Sequence, residues 1–551
     1  MKWILTCLTP VHIGTGRELH PMEYAIRNGT YYVLRLDPAL EYLEGKVTGV
    51  VEKYMEHATQ ALEGLARSRG QGQKLRYYAE DVGILQFCEK ELKRRDLAEQ
   101  LLRQPDVVAY RCDGVTWRPQ GKHRQVREQM KFNGLPYIPG TSIKGAIRTS
   151  LAYALLLDLS DQELDNLLGS FPDDRSSVRA RIQALKRRYE TALRHLEQGN
   201  EARAGQELDE LTKQRGRLEK SIGEPLDHFF FRCGAENRGE VKYDEPHMDL
   251  LRVLRISDCH LRSGGMTVGE MFARAARRSA QSEIPIPAEM IDREARLEFE
   301  MSLDVRLLQE MARNASKSER EWIGFPEKFR RLFACEPQEL LRLQKPDELA
   351  RWEKEKLDLL LRRVHRHSVD ILKRDERWAK KAANDVGQGL LQALNELRAR
   401  AEKAGDGCLL RVGFASGWHA TTVAMALEER GKTDLLSGLL YVFLMDLPQN
   451  LRRTLTRQGL SNKQNHGTIL RLLCRTPDAS AFPTSRRLLR EADGQVTPIG
   501  WVWLEEASSA AVGTGRERRV EERSQPAESR TSEEITPEDL ERLQRRFRGE
   551  E

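Results

Sequence analysis

Lys144 and Arg148 stand four residues apart and so share one face of a helix. That helix opens at Pro139-Gly140, a turn pair, with Thr141 or Ser142 as its cap and Ile143, Ala146 and Ile147 as its apolar side. Free backbone N–H groups and the positive end of the helix dipole beside two cations make a place to hold a phosphate. Gly145 is followed by Ala146 and Ile147 rather than by Lys and Ser/Thr, so the stretch is not a nucleotide-binding P-loop. An ordinary capped helix with a solvated Lys and Arg is the alternative.

Two other regions offer related chemistry. Thr9-Pro10-Val11-His12-Ile13-Gly14-Thr15-Gly16 carries a glycine pair that lets backbone approach a partner closely. Arg118, Lys122, His123, Arg124, Arg127 and Lys131 are interleaved with Trp117 and Phe132, a mixture that suits the phosphates and base faces of a single strand. A solvated loop explains the same residues. A metal-independent ribonuclease needs a general base and acid flanking the attacking 2′-hydroxyl. His12, His123 and His419 are the histidines near glycine or basic loops. A packing or hydrogen-bonding role is preferred for His12 and His419, and His123 stands between RNA contact and solvent. Asp244-Glu245-Pro246-His247 falls in a polar loop, and Cys233, Cys259 and His260 read as separate side chains rather than metal ligands. No catalytic residue, metal or cofactor is assigned.

The elements that must position these groups are spread along 551 residues, enough for two or more domains. Charged residues make up 32% and the net charge is +6, a mild basic bias compatible with a polyanion. The eight cysteines form no CxxC pair, which argues against a zinc ribbon or a secreted disulfide framework. No signal peptide is apparent, and the longest apolar run, 435–445, is too short to span a bilayer. The expected location is the cytoplasm, with no membrane partner.

In order, the pattern predicts a strand at 3–8, a hairpin at 24–36 turning on Asn28-Gly29, and a helix starting at Asp37-Pro38. Polar helices over 48–104 and a strand at 107–112 follow. A charged helical hairpin at 160–222, broken near Gly199-Asn200, reads as an insertion, and so does a second helical block at 318–404. Residues 252–259 read as an apolar strand, 282–287 as a boundary, and 295–305 as a half-buried strand. Leu409 to Leu427 repeats the strand–glycine–helix order of 136–150, a hint of internal duplication. A closing hairpin at 482–504 precedes a charged tail, 508–551, expected to be disordered apart from one helix capped at Thr536-Pro537.

Thr9 to Gly16, Ile138-Pro139-Gly140-Thr141-Ser142-Ile143-Lys144-Gly145-Ala146-Ile147-Arg148-Thr149 and Leu254-Arg255-Ile256-Ser257-Asp258 together resemble the RAMP superfamily of CRISPR proteins. Gly413 to Thr422, Phe482 to Arg487 and Pro498-Ile499-Gly500-Trp501 are most similar to the subunit-five family of the type III-A Csm effector complex. The resemblance implies an α+β protein of two ferredoxin-like (RRM-like) domains, 1–285 and 286–507, with glycine-rich loops and large charged helical insertions. It implies a non-catalytic subunit that caps the Csm filament, binds the 3′ part of the CRISPR RNA and assists its 3′-end maturation. Its partners would be the other Csm subunits and host ribonucleases. A RAMP endoribonuclease that processes repeat RNA, or the equivalent subunit of another type III subtype, is the alternative. The RNA-facing residues it implies are Gly14, Thr15, Gly16, Gly140, Ser142, Lys144, Gly145 and Arg148, with Gly413, Ser416, Gly417 and His419 as a second set. Lys122 and Arg124 join them from the basic loop.

Overall fold

The alternation over 295–305 becomes the strand Arg296–Leu303, which buries Leu297, Phe299, Met301 and Leu303 on one face. In the computed structural model this strand lies inside the larger sheet. The order there is Gly407–Arg411, Trp501–Glu506, Lys2–Cys7, Arg296–Leu303, Cys259–Ser263, Leu135–Ile138 and Lys131–Phe132. The pairings are antiparallel, and Leu5 stands opposite both Leu297 and Leu504. The first strand of the chain is thus held between segments from its middle and its end. The structure describes residues 1–68, 82–113, 115, 125–169, 178–221, 224–275, 284–382, 384–403, 407–444, 482–491 and 494–507. Trp117, Arg118, Lys122, His123, Arg124 and the tail lie outside the described residues.

Two helices supply the core beneath this sheet. Gly140–Leu157 contributes Ile143, Ile147 and Leu151, and Pro346–Ala379 contributes Leu357, Leu360, Leu361, Val364, Ile371 and Leu372. The second stripe has helical spacing, so it gives one apolar side to a helix whose other sides are charged. The 318–404 block thus contributes to the core through this stripe as well as carrying charge. The expected hairpin in 160–222 is present: Val178–Glu197 and Glu201–Ser221 turn at Gly199 and bury Leu185, Tyr189, Ala204 and Leu208.

A second sheet runs in the order Val496–Thr497, Ser485–Arg490, Met266–Ala275, Ile284–Ile291, Val126–Gln129 and Gly14–Leu19. The expected boundary at 282–287 is instead part of the interior strand Ile284–Ile291. Pro285 stands opposite Phe272 and Pro287 opposite Glu270, while the other edge makes a single bridge, Ala288 to Arg127. Proline lacks a donor and usually marks a break, and here that sparsely paired edge accommodates it. Strand pairing thus crosses residue 285 directly, and Met1–Ala507 packs as one unit.

The hairpin Tyr24–Arg27/Thr30–Leu34 forms as expected, with Asn28 at φ 52° and Gly29 at φ 80°. The helix after it begins at Leu36, so Asp37 lies in its first turn rather than at its cap. Residues 250–256 are a 3-10 turn and a three-residue strand rather than one long strand. The closing hairpin is Ser485–Arg490 with Val496–Thr497, whereas Trp501–Glu506 passes into the larger sheet. Gly500 allows that passage: its φ is +85° and a Cβ there would lie 2.3 Å from the Val412 carbonyl oxygen. No helix among the described residues is long and apolar enough to cross a membrane.

Candidate nucleic-acid interface

The start of the helix Gly140–Leu157 is pressed against the segment 256–258. A Cβ on Gly140 would lie 2.5 Å from the Ile256 carbonyl oxygen and 2.6 Å from that of Ser257. The Gly140 N–H donates to Asp258 Oδ1 at 2.8 Å. The Leu254–Asp258 motif therefore caps the helix of the Gly140 motif, and a protein carboxylate takes this N–H from the positive end of the dipole. Lys144 Nζ donates to the Leu254 carbonyl at 2.7 Å, and burial lowers its pKa below the usual lysine value. Arg148 donates through Nε to Asp227 at 2.9 Å and through Nη1 to Asp249 at 2.9 Å, and lies 4.6 Å from the centre of the Phe231 ring. Both cations turn inward to the segment 227–254. The phosphate clamp expected of them is not what their contacts form.

The adjoining face of the same helix does border open space. Its Ser142, Gly145 and Thr149 form one side of a cleft of about 680 Å³, with Gly14 and Gly16 on a second side and Gly413 and Ser416 on a third. The structure thus brings together six of the expected residues from three distant motifs. Lys122 and Arg124 lie outside the described residues, and the remaining expected residues do not line the cleft. The Thr15 hydroxyl donates to Glu128 at 3.1 Å, Gly417 is exposed at the start of a five-residue helix, and His419 is buried, which pushes its pKa down to about 3. Gly140 serves helix packing, as above.

The glycine loops touch each other. Gly413 has φ +87°, a Cβ there would lie 2.5 Å from the His12 carbonyl oxygen, and the Phe414 N–H donates to that oxygen at 3.0 Å. His12 is buried, its Nδ1 lies 2.7 Å from the Glu289 carbonyl oxygen, and burial pushes its pKa down to about 4. The Glu289 carboxylate accepts from Tyr110 Oη at 2.6 Å, the Gln129 N–H at 3.0 Å and Lys131 Nζ at 2.6 Å. Lys131 is therefore committed to the interior, whereas Phe132, next in sequence, is 61% exposed.

The cations of the cleft are Arg17, Arg127 and Arg411. Arg17 pairs with Glu23 at the surface. The Arg127 guanidinium lies 4.3 Å from the centre of the Phe414 ring and 3.6 Å from Glu18, and Arg487 approaches the same ring at 4.3 Å. Arg411 is buried and donates to Asp375 at 2.7 Å, and Arg486 holds the other Asp375 oxygen at 2.6 Å. Burial alone would raise the Asp375 carboxyl, but Arg411 and Arg486 keep its pKa below the usual carboxylate value. Two guanidiniums on one carboxylate leave an excess positive charge beneath the Gly413 loop. Arg17 and Phe414 adjoin or lie within the motifs already singled out, and Arg411 ends an apolar strand. Nothing local marks any of the three as cleft residues.

Backbone loops, hydroxyls and arginines in an open cleft suit a polyanion without requiring acid–base chemistry. The RAMP superfamily matches residues 4–368. The Csm5 protein of Methanocaldococcus jannaschii is 28% identical over 169 residues, 31% of this chain, and the match spans 33% of that relative's length. A chain in the cryo-EM structure of a Csm–crRNA–target RNA ternary complex of a type III-A CRISPR-Cas system covers 92% of this chain and 100% of its own, with TM-score 0.50 at 21% identity. The crystal structure of T. onnurineus Csm5 gives TM-score 0.48 at 19% identity over 91% of this chain and 99% of its own. At such identities the ternary-complex likeness establishes a shared α+β fold. Matched over most of its length, the chain belongs to the RAMP superfamily.

Proposed function

We propose that this chain is a Csm5-like, non-catalytic RNA-binding subunit of a type III-A CRISPR effector ribonucleoprotein. It binds the 3′ part of the CRISPR RNA, caps the filament of Csm subunits there and assists 3′-end maturation through host ribonucleases. The observation that carries the reading is the cleft in which the Gly14, Gly145 and Gly413 segments meet beside Arg17, Arg127 and Arg411. The two strand–glycine–helix units support a duplicated, ferredoxin-like ancestry, because their strands lie at or next to opposite ends of the larger sheet. The non-catalytic assignment rests on the motifs, which recur as glycine loops without an acid–base pair, and on His419, which is buried and does not line the cleft; the product gels below test whether His12 acts as a base.

The test is binding of a labelled single-stranded CRISPR repeat RNA across a salt series, with product gels alongside. Each phosphate that a variant no longer neutralises lowers the slope of log K against log salt by about 0.7, so Arg17→Ala with Arg127→Ala should lower it by about 1.4. An unchanged slope overturns the assignment of the cleft. A cleaved product makes the chain a ribonuclease.

A further inference from the structure

One wall of the cleft has a chemistry that phosphate binding does not use. His12 is 1% exposed as a residue, yet it borders the cleft, and its Nε2 faces the space beside Gly14. A Cβ on Gly14 would lie 3.0 Å from His12 Nε2 and 3.8 Å from the backbone nitrogen of Gly16. Gly14 does not adopt a positive φ, so its backbone does not require glycine. What the missing side chain does is keep a methyl from packing against Nε2 on the cleft side.

The protonation of that ring follows from its partner. Nδ1 lies 2.7 Å from the Glu289 carbonyl oxygen, which can only accept, so Nδ1 carries the proton. Nε2 of the neutral ring is then a lone pair. The orientation is fixed from both sides, by the Glu289 strand and by the Phe414 N–H on the His12 carbonyl at 3.0 Å. Burial pushes the His12 pKa down to about 4, so the acceptor persists at pH 7.

A phosphodiester has no proton to give such an acceptor. On a single RNA strand the donor present at every nucleotide is the ribose 2′-hydroxyl, which can also accept from a backbone N–H. We propose that His12 Nε2, left open by Gly14, accepts a hydrogen bond from a ribose 2′-hydroxyl and makes the cleft select RNA over DNA. The proposal rests on the cleft being the RNA site.

The experiment measures the affinity of the full chain for labelled oligouridylate and oligodeoxyuridylate, strands that share a base and differ at the 2′ position. Wild type should prefer the ribose strand by about three- to tenfold, the worth of one neutral hydrogen bond. His12→Phe should bring the ribose-to-deoxyribose ratio to about one. Gly14→Ala leaves the His12–Glu289 bond in place and covers Nε2 with a methyl, so it should have the same effect if His12→Phe does not fold. Equal affinities in wild type, or an unchanged ratio in a folded variant, overturn the subsite alone. Salt-insensitive or undetectable binding of both strands overturns the RNA reading, and the subsite falls with it.

Discussion

Replacing Arg148 with alanine separates the two roles its position suggests. If the guanidinium serves RNA, the substitution removes a phosphate contact; if it serves the fold, stability falls. Its side chain is 25% exposed and ties the cleft helix to Asp227 and Asp249, whose side chains are 31% and 15% exposed. Charge-assisted hydrogen bonds contribute about 1.5–3 kcal/mol each when desolvated, and partial exposure moves both toward the lower figure. Arg232 stands 3.9 Å from each of the two acids and recovers part of the loss, and Asp249 keeps the Leu251 N–H at 2.9 Å. Arg148→Ala should therefore cost about 2 kcal/mol in urea unfolding, less than the roughly 3–5 kcal/mol of a fully buried broken pair. Its RNA-binding salt slope should match wild type. Wild-type stability with a slope lowered by about 0.7 would refute the inward reading of Arg148.

Two more outcomes follow from the same contacts. Gly140→Ala should destabilise by roughly 3 kcal/mol because its Cβ meets two carbonyl oxygens, whereas Gly145→Ala, with open space around it on the same helix, should stabilise by about 0.5–1 kcal/mol; urea midpoints that move together would refute this assignment. Acid should weaken the fold above the pH range of ordinary carboxylates. Burial holds His12 and His367 down to about 4 and His419 to about 3, so below pH ~6.5 the unfolded chain takes up three protons that the folded chain refuses. Asp292, raised by burial to about 6, acts in the opposite sense by one proton. Burial also holds His228 and His365 below the usual histidine value, so the net is at least two protons, roughly 3 kcal/mol per pH unit, a stability present above pH ~6.5 and lost on going toward 5. A flat stability profile over that window would sink the claim.

What the sequence made legible was local, and what it hid was long-range. Asn28-Gly29 announces its hairpin because the left-handed conformation is a property of those two residues. The alternation from Leu297 to Leu303 announces a half-buried strand for the same reason. The glycines were legible as points of close approach, but not what approaches: for Gly140 it is the Ile256 and Ser257 carbonyls, and for Gly413 the His12 carbonyl. Lys144 and Arg148 looked like a clamp because their spacing is visible, while the acids that claim Arg148 lie 79 and 101 residues away. Glu289, which fixes the His12 ring, is 277 residues from it. The long helix Pro346–Ala379 reads in the sequence as part of a helical insertion because its charges outnumber its stripe, yet the stripe alone decides which face is buried. In this fold Gly140, Gly413 and Gly500 let chain segments cross, whereas Gly16, Gly145 and Gly417 face open space. Of the cleft's arginines only Arg127 belongs to the basic stretch that the sequence singles out, and the contacts of Lys144 and Arg148 run toward the segment 227–254 rather than toward the cleft.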